Sequence, residues 1–305
     1  MSLPFRELAQ QAASPLIGRC TFSDEPGSLA CAVSGGADSL ALLVLAVAVG
    51  RVAVAHHVDH GLRPGSAEDV HVVDALAANL GVEVVVHRVE IAPGANLEAR
   101  ARAARLGALP AGAATGHTAD DQAETVLLNL LRGAATDGLA AMRAGARHPI
   151  LGLRRDETHG LCARLGLRPV EDPTNRDPAH LRNRVRHELV PVLCELAGRD
   201  VVPILARQAR LLADDATLLD ELSAVLDPTD ARAVAAAPAP LARRALREWL
   251  RCGHPPDSAT VDRVLSVAAG ESLAADIGAG RSVRRSRGRL RLEPERRASS
   301  DPHGR

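Results

Sequence analysis

The stretch that decides the fold is Ser34-Gly35-Gly36-Ala37-Asp38-Ser39, which lies between two apolar runs, residues 29–33 and 40–49. The first run is short and leads into glycines, which predicts a buried strand. The second is long, rich in Ala and Leu, and opened by Asp38 and Ser39, which favour helix starts. Two adjacent glycines let successive backbone N–H groups point at one spot, and the helix start adds its positive dipole end. A strand, a glycine turn and a helix therefore predict an anion site suited to phosphate.

This loop fits neither of the two familiar nucleotide-binding patterns. No lysine follows the glycines as in GxxxxGK[ST], and the glycine spacing is not GxGxxG. SGGADS resembles instead the pyrophosphate-binding loop of the N-type ATP pyrophosphatases, which split ATP between its α- and β-phosphates to adenylate a substrate. For these six residues alone, an ordinary strand-to-helix turn of an α/β domain is the alternative.

Composition bounds the class of protein. The 305 residues suffice for one large domain and a small second one, and a hydrophobic content of 46% supports a core, although Phe5, Phe22 and Trp249 are its only aromatic residues. All 37 basic residues are arginine and are balanced by 37 acidic ones, so net charge neither indicates nor excludes a nucleic-acid partner. Five cysteines, never in CxxC, argue against a disulfide framework and against zinc or iron–sulfur sites.

Nothing in the sequence indicates a membrane protein. The longest apolar run is about half of the roughly 20 residues that a membrane span needs, and the N-terminus lacks a signal-peptide pattern. We therefore expect a soluble, cytoplasmic protein.

The order of the predicted elements is that of a parallel sheet. After the first strand and helix, strands and helices alternate over residues 51–57, 66–80, 82–89 and 96–106. A βαβα order predicts a Rossmann-like α/β fold. Polar residues such as Asp59 and His60 follow the second strand directly, at the sheet edge where ligands bind in open α/β sheets.

Residues 116–125 (GHTADDQAET) combine a helix start with clustered acids. Thr118 is a plausible cap, and capping explains the acids only in part. His117, Asp121 and Glu124 are spaced i, i+4, i+7, so a helix that includes all three would place them along one side. Such a stripe beside a strand end predicts a substrate or metal site.

Arginines recur in two predicted helical stretches. Arg102 and Arg105 are three residues apart and share a helix face, which is more often a solvated face than a binding site. Residues 181–187 (LRNRVRH) carry alternating arginines, which make a cationic ridge suited to phosphates. A solvated helix face paired with Glu188 and Glu195 is the alternative.

The rest of the chain predicts a connector helix and a small C-terminal α+β domain. The connector covers residues 199–226, and the elements expected after it are helices near 241–250 and 260–269 and a strand pair at 273–277 and 289–292. We expect the domains to be 1–198 and 199–305. Between residues 281 and 305 there are nine arginines against three acids, which favours a nucleic-acid-facing end.

The order of these motifs resembles that of the tRNA(Ile)-lysidine synthetases across about residues 29–193. The matching stretches are SGGADS, HHVDHGLR, NLEARARAARL, GHTADDQAET, LLRGAATDGLAAM, EDPTNRD and LRNRVRHELVP. The resemblance implies a PP-loop catalytic domain of the adenine-nucleotide α-hydrolase type, followed by a tRNA-binding domain.

The resemblance also implies a carbon–nitrogen ligase. Such an enzyme adenylates carbon 2 of the wobble cytidine in the CAU anticodon of tRNA(Ile), then joins free L-lysine through its ε-amine and releases AMP and pyrophosphate. The modified anticodon reads AUA instead of AUG. The implied partners are ATP, Mg²⁺, this tRNA and lysine, with no membrane, and a homodimer is compatible with the sequence.

Carried over residue by residue, the resemblance assigns two halves of a site. Residues 34–39, with His60 and His117, would contact the nucleotide, and Asp38 would also hold Mg²⁺. Asp121 and Glu124 would bind lysine. Arg102 and Arg182 match arginine motifs of the family, which implies contacts to phosphate or adenylate.

Four other functions are alternatives to this one. A tRNA thiolase of the same superfamily would be expected to carry CxxC pairs, and a synthetase acting on a small amide or acid would have no use for the arginine-rich end. A non-catalytic RNA-binding module would not need the ordered catalytic motifs. A metal-dependent hydrolase would leave SGGADS unexplained, although candidate ligands exist in His57, Asp59, His60, His117 and Asp120.

Overall fold

The chain divides into two compact units, Met1–Ala213 and Asp214–Arg305. The computed structural model describes residues 4–59, 61, 69–91, 97–171, 174, 177–253 and 255–294, without the side chains of 97–99 and 101–102. Within these ranges, no helix combines the length and apolar character that crossing a bilayer requires.

A parallel sheet organises the first unit. Strands β1 (Leu29–Ala32), β2 (Ala53–Asp59) and β3 (Glu83–Arg88) lie side by side in that order, and both pairs are parallel. On the free edge of β1, the Ala114 N–H donates to the Ala30 carbonyl and the Ala32 N–H donates to the Ala114 carbonyl, each at 2.8 Å. Residues 113–115 thus extend the sheet by a single bridge.

Helices alternate with these strands. Their bounds in the first unit are α1 (Phe5–Ile17), α2 (Ala37–Ala48), α3 (Asp69–Leu80), α4 (Leu97–Ala108), α5 (Ala119–Leu131), α6 (Thr136–Leu139), α7 (Arg155–Arg164), α8 (Leu181–Arg184), a π-helical turn (Val185–Leu189) and α9 (Val190–Ala197). The predicted Rossmann-like parallel sheet is confirmed. The predicted connector is α10 (Val202–Ala224), a helix that begins in the first unit and ends in the second.

Helix α2 is the centre of the first unit's core. Every residue from Leu40 to Ala46 is fully buried, which is the pattern of a helix that is apolar on all sides. Because the chain has almost no aromatic residues, this core consists mainly of Ala, Val and Leu, with Cys31, Ile150 and Cys162. The buried helix places its N-terminus, and the SGGADS loop before it, at the carboxyl edge of the sheet.

The second unit has a helical layer and a three-stranded antiparallel sheet. Its elements after α10 are α11 (Ala231–Ala236), α12 (Ala239–Trp249), α13 (Ser258–Ala269), β4 (Ala274–Gly278), β5 (Arg281–Ser286) and β6 (Arg289–Pro294). Leu246, Val264, Val283 and Leu290 lie in its core. The predicted small α+β domain is confirmed.

The predicted strand pair in this unit was wrong in one respect. β4 and β6 do not pair with each other, because β5 lies between them and pairs with both. The sequence of β5, RSVRRS, buries only Val283 and exposes or half-exposes the other five residues. One buried side chain is too weak a period-2 signal to predict a strand.

Candidate active site

The SGGADS loop is held in a tight curl by Ser39. The Ser39 hydroxyl accepts the Ser34 N–H at 3.1 Å and donates to the Gly36 carbonyl at 2.8 Å. Gly35 has a φ of +87°, and a methyl group there would lie 3.1 Å from Val170 Cγ2, so the position requires glycine. The curl directs the chain into the N-terminus of α2, which begins at Ala37.

Asp38 lies in the first turn of α2 with its carboxylate partly exposed. It accepts a hydrogen bond from the Thr158 hydroxyl of α7, and Arg155 Nε lies 3.7 Å from Asp38 Oδ2. Burial raises the pKa of Asp38 above its ordinary value, and the nearby charge of Asp121 adds to the effect, against the Thr158 hydrogen bond and Arg155. The positive charge around this carboxylate does not offset the cost of its burial. A cation beside it would therefore stabilise its ionised form.

The N-termini of α2 and α5 meet at Gly116. A methyl group on Gly116 would lie 2.7 Å from the Asp38 carbonyl oxygen, which is a backbone clash. Two residues later, Thr118 precedes α5, and its N–H and hydroxyl both donate to Asp121 Oδ2, at 2.9 and 3.0 Å. The close approach therefore brings Asp38 and Asp121, from separate helices, to one site.

Gly116→Ala tests this close approach. We expect it to lower the free energy of unfolding by about 1–3 kcal/mol, the usual cost of overpacking, because backbone must shift to admit the methyl group. Thermal unfolding measures the effect. Gly18→Ala is the matched control, since Gly18 has a φ of −63° and open space around it. Equal stability of the two variants would contradict the packing described.

Glu124 is the most deeply buried carboxylate of the site, with 2% of its side chain exposed. Arg182 Nε donates to Glu124 Oε2 at 2.8 Å, Arg186 donates to both oxygens at 2.6 and 3.1 Å, and Arg155 Nη2 donates to Oε1 at 3.1 Å. A carboxylate this deep is stable only when such charged partners compensate its desolvation.

Asp121 shares the same three arginines. Arg155 Nη2 lies 3.2 Å from Asp121 Oδ1, Arg182 Nη2 at 3.4 Å and Arg186 Nη2 at 3.6 Å. Burial alone would raise the pKa of Asp121, but the charges of Arg155 and Arg182 and the Thr118 N–H hold it below its ordinary value. Asp121 is therefore ionised at neutral pH.

The neighbouring Asp120 has a different role. Arg154 Nε and Nη2 donate to the two carboxylate oxygens of Asp120 at 3.0 and 3.1 Å. The Arg155 backbone N–H donates to Asp120 Oδ2 at 2.8 Å. Against the effect of burial, these hydrogen bonds lower the pKa of Asp120. Arg154 also pairs with Asp200, just ahead of α10. Asp120 thus fixes the start of α7, and its bidentate pairing argues against a metal-ligand role.

His117 does not lie on the stripe that its spacing predicted. Helix α5 begins at Ala119, so His117 precedes it and points elsewhere: its Nδ1 lies 2.7 Å from Thr115 Oγ1 and 3.3 Å from His148 Nδ1. The stripe consists of Asp121 and Glu124 alone. The physical reason is that α5 starts at Ala119, two residues after His117, whereas a stripe of all three residues requires His117 to be inside the helix.

His148 makes the stability of this unit sensitive to acid. Burial, with the positive charges of His117 and Arg147, lowers the pKa of His148 to about 4. Because the unfolded chain takes up this proton near pH 6.5, the stabilisation is fully present above that pH and is lost as the pH falls toward 4. We expect the melting temperature to fall between pH 7 and pH 5 less in His148→Gln than in the wild type. Parallel curves would contradict this.

Two predicted site residues have side chains outside the described part of the structure. His60 lies outside the described residues, and Arg102 lies in α4 with its side chain outside the described part. His57 is buried and its Nδ1 lies 2.9 Å from the Val33 carbonyl, which is a structural contact. Within the described ranges, no group of three or more His, Cys, Asp or Glu side chains is arranged to hold a metal.

Arg155, which the sequence did not single out, completes the cluster together with Arg186 of the predicted ridge. Arg155 follows Arg154 at a helix start, where a buried arginine has no distinctive signal. Arg182 and Arg186 are four residues apart and therefore face the same way, onto Glu124, while Arg184 pairs with Glu188 at 3.4 Å on the solvent side. The predicted ridge is thus divided: one arginine is solvated and two face the carboxylates.

Two known protein families match long stretches of this chain. Residues 6–193 match the PP-loop domain family, and residues 230–291 match the TilS substrate binding domain family. Among solved structures, a U34-tRNA thiolase from Methanococcus maripaludis aligns at a TM-score of 0.48 with 17% identity, over 68% of this chain and 80% of its own.

Curated relatives match about three quarters of the chain. The tRNA(Ile)-lysidine synthase of Nocardia farcinica is 45% identical over 239 residues, 73% of this chain and 75% of the relative. Those of Salinispora tropica (46% identical, 74% and 77% covered) and Thermobifida fusca (41% identical, 77% and 81% covered) align similarly. With this identity over about three quarters of each chain, the protein belongs to the tRNA(Ile)-lysidine synthase family.

Proposed function

We propose that this chain is a carbon–nitrogen ligase that uses ATP to convert the wobble cytidine of tRNA(Ile), with its CAU anticodon, into lysidine. One observation carries the proposal. Arg155 contacts Asp38 of the SGGADS loop, and also Asp121 and Glu124, the paired carboxylates of α5. An anion site and a site for a cationic amine are therefore joined through one side chain.

The SGGADS loop would bind the pyrophosphate half of ATP. Its backbone N–H groups and the N-terminus of α2 offer donors and a positive dipole end to the leaving group. The cytidine oxygen at carbon 2 attacks the α-phosphorus, the bond to the β-phosphate oxygen breaks, and pyrophosphate leaves. Positive charge from the arginines near Asp121 would stabilise the charge that develops on the phosphate oxygens.

Mg²⁺ fits beside Asp38. A partly exposed carboxylate whose pKa is raised by burial, with the Thr158 hydroxyl next to it, is the hard oxygen donor set that this ion prefers. Mg²⁺ usually takes one or two carboxylates and completes its shell with water and phosphate. When bound, the ion supplies charge neutralisation on the phosphates.

Asp121 and Glu124 would bind the ammonium group of free L-lysine. Both are carboxylate acceptors on one side of α5, and Glu124 is buried where water competes least. In the structure their oxygens are shared by three guanidinium groups, so an ammonium group must replace some of these contacts. Its nitrogen, once neutral, attacks carbon 2, and AMP leaves with the electrons of the C–O bond.

The second unit would bind tRNA. Arg284 and Arg291 face each other across β5 and β6 and are both exposed, and the single carboxylate of Glu293, 3.4 Å from Arg284, offsets only one of these two like charges. Together with the excess of arginine at this end of the chain, this supports contacts to the phosphate backbone. We also place the enzyme in the cytoplasm, while a homodimer remains a prediction.

Reversing both charges tests this contact. Arg284→Glu with Arg291→Glu should weaken tRNA binding by about tenfold or more and should reduce the slope of log affinity against log salt by about one for each phosphate that is no longer bound. Filter binding at several salt concentrations measures both. Arg251→Glu is the control, since Arg251 is exposed and pairs with Glu248 in α12. Unchanged affinity and slope would contradict tRNA contact at this face.

A substrate survey tests the proposed function as a whole. ATP, Mg²⁺ and tRNA(Ile) with a CAU anticodon are supplied with each of the twenty amino acids in turn, and AMP and modified tRNA are measured. We expect modified tRNA with lysine alone. AMP release that requires a sulfur donor, or no tRNA, would refute the proposal and favour another reaction of the same ATP chemistry.

A further inference from the structure

Arg155 contacts both proposed ligand positions, the nucleotide side and the amine side. Its Nε lies 3.7 Å from Asp38 Oδ2, and its Nη2 lies 3.2 Å from Asp121 Oδ1 and 3.1 Å from Glu124 Oε1. One guanidinium group therefore lies between the SGGADS loop and the carboxylates that would bind lysine. In its present position it occupies acceptor atoms that the lysine ammonium group needs.

Arg155 holds these two carboxylates less tightly than its neighbours do. Hydrogen bonds between charged N–H donors and carboxylates are typically about 2.7–2.9 Å long. Both bonds from Arg155 are longer, at 3.1 and 3.2 Å, and both come from the same nitrogen, Nη2. Arg186 donates to both oxygens of Glu124, at 2.6 and 3.1 Å, and Arg182 donates to the same carboxylate at 2.8 Å. Of the three guanidinium groups, that of Arg155 is the easiest for an incoming ammonium group to replace.

Only the side chain of Arg155 has to move for this exchange. Its backbone N–H donates to Asp120 Oδ2 at 2.8 Å. Arg154, the preceding residue, donates to both oxygens of the same carboxylate. These bonds hold the start of α7 in place while the Arg155 guanidinium group changes its partners by rotation about side-chain bonds.

The ion pairs of the site are balanced in formal charge. They link three carboxylates and three guanidinium groups: Asp38, Asp121, Glu124, Arg155, Arg182 and Arg186. An ammonium group bound alone adds a positive charge to this set, and a nucleotide bound alone adds the negative charge of its phosphates. The two ligands bound together offset each other, which matters most where burial weakens the screening by water.

We propose that Arg155 couples the binding of lysine to the binding of ATP, an inference that rests on the proposed function. The lysine ammonium group replaces the Arg155 guanidinium at Asp121 and Glu124, and the guanidinium turns to the phosphates bound at the SGGADS loop. No covalent bond changes in this exchange. Each ligand then tightens the binding of the other by the same factor, because coupling between two sites is reciprocal.

Lysine binding with and without a nucleotide measures the coupling factor. The probes are isotope-labelled L-lysine in equilibrium dialysis against the full chain, and α,β-methylene-ATP with Mg²⁺, in which the bond that would break is blocked. We expect the analogue to tighten lysine binding by about 5- to 150-fold, the usual range for coupled sites, and lysine to tighten binding of the analogue equally. The same lysine affinity with and without the analogue would overturn the inference.

Two variants of Arg155 test its part in this coupling. Arg155→Met removes the charge and keeps a long unbranched side chain, so lysine should bind more tightly without nucleotide and the coupling factor should fall close to one. Arg155→Lys keeps the charge of the site, but its compact ammonium group cannot contact Asp38 and the α5 carboxylates together. It should therefore lower the coupling factor as well, and it decides the outcome if Arg155→Met does not fold.

Arg186→Met is the matched control. Among the described residues, Arg186 forms ion pairs with Asp121 and Glu124 but not with Asp38. Removing its charge should change the lysine affinity and leave the coupling factor at the wild-type value. An equal loss of coupling in Arg155→Met and Arg186→Met, or a wild-type coupling factor in Arg155→Lys, would overturn the inference.

Formation of lysidine is assayed separately, because the dialysis contains no tRNA. A wild-type protein that forms lysidine but shows no coupling would overturn this inference alone. A wild-type protein that neither forms lysidine nor binds lysine would refute the proposed function, and the coupling with it.

Discussion

Asp38→Asn is expected to slow tRNA-dependent pyrophosphate release by about 10²–10³-fold, the usual effect of losing one group that stabilises transition-state charge. Asparagine keeps the shape and can still accept the Thr158 hydrogen bond, but it lacks the negative charge that would hold Mg²⁺. Thermal stability, in contrast, should not fall. Because burial raises the pKa of Asp38, the neutral amide should leave the melting temperature unchanged or raise it.

Pyrophosphate release at saturating ATP and a thermal unfolding curve measure the two effects. Asp156→Asn is the control, an exposed carboxylate in the first turn of α7 close to Thr158 in sequence. A variant of Asp38 that released pyrophosphate at the wild-type rate would remove this carboxylate from the proposed mechanism.

Asp121→Asn is expected to weaken the use of lysine by about 10- to 100-fold, because a hydrogen bond to a charged group contributes about 1.5–3 kcal/mol. Adenylation, followed as pyrophosphate release without lysine, should change little. Asp121 is a better position to change than Glu124. Glu124 is 2% exposed, and breaking a buried ion pair lowers the free energy of unfolding by about 3–5 kcal/mol, which would confound the kinetics.

The adjacent carboxylate provides the matched control. Asp120→Asn removes a charge one residue away, but its partner is Arg154, so we expect lower thermal stability and an unchanged lysine KM. The lysine KM and kcat of both variants, measured with adenylated tRNA, separate the roles. A raised lysine KM in Asp120→Asn and not in Asp121→Asn would contradict the assignment.

Much of the fold follows from local sequence signals. The alternating strands and helices up to residue 108 lie close to their predicted bounds, because long apolar runs and glycine turns report burial directly. Strand β5 was not predicted, because only Val283 of its six residues is buried and its other residues, three of them arginines, are exposed or half-exposed. Pairing partners in a small antiparallel sheet depend on contacts distant in sequence, which a local pattern does not contain.

The site was predictable to a similar extent. SGGADS and the pair Asp121 and Glu124 stood out because glycines and acids at these spacings have few structural explanations. Arg155 did not, because an arginine is usually exposed and its burial here depends on carboxylates more than thirty residues away. The later start of α5, which removes His117 from the stripe, depends on Thr118 and Asp121 pairing across the first turn.

The most direct test of the proposed function is the mass of the nucleoside at position 34 of tRNA(Ile) with a CAU anticodon, after incubation with this protein, ATP, Mg²⁺ and lysine. We predict that cytidine is replaced by a nucleoside carrying one lysine, with one AMP and one pyrophosphate released for each, and that Asp121→Asn gives little of it. Release of AMP and pyrophosphate while the nucleoside stays unmodified, or gains sulfur in place of lysine, would contradict the proposed function.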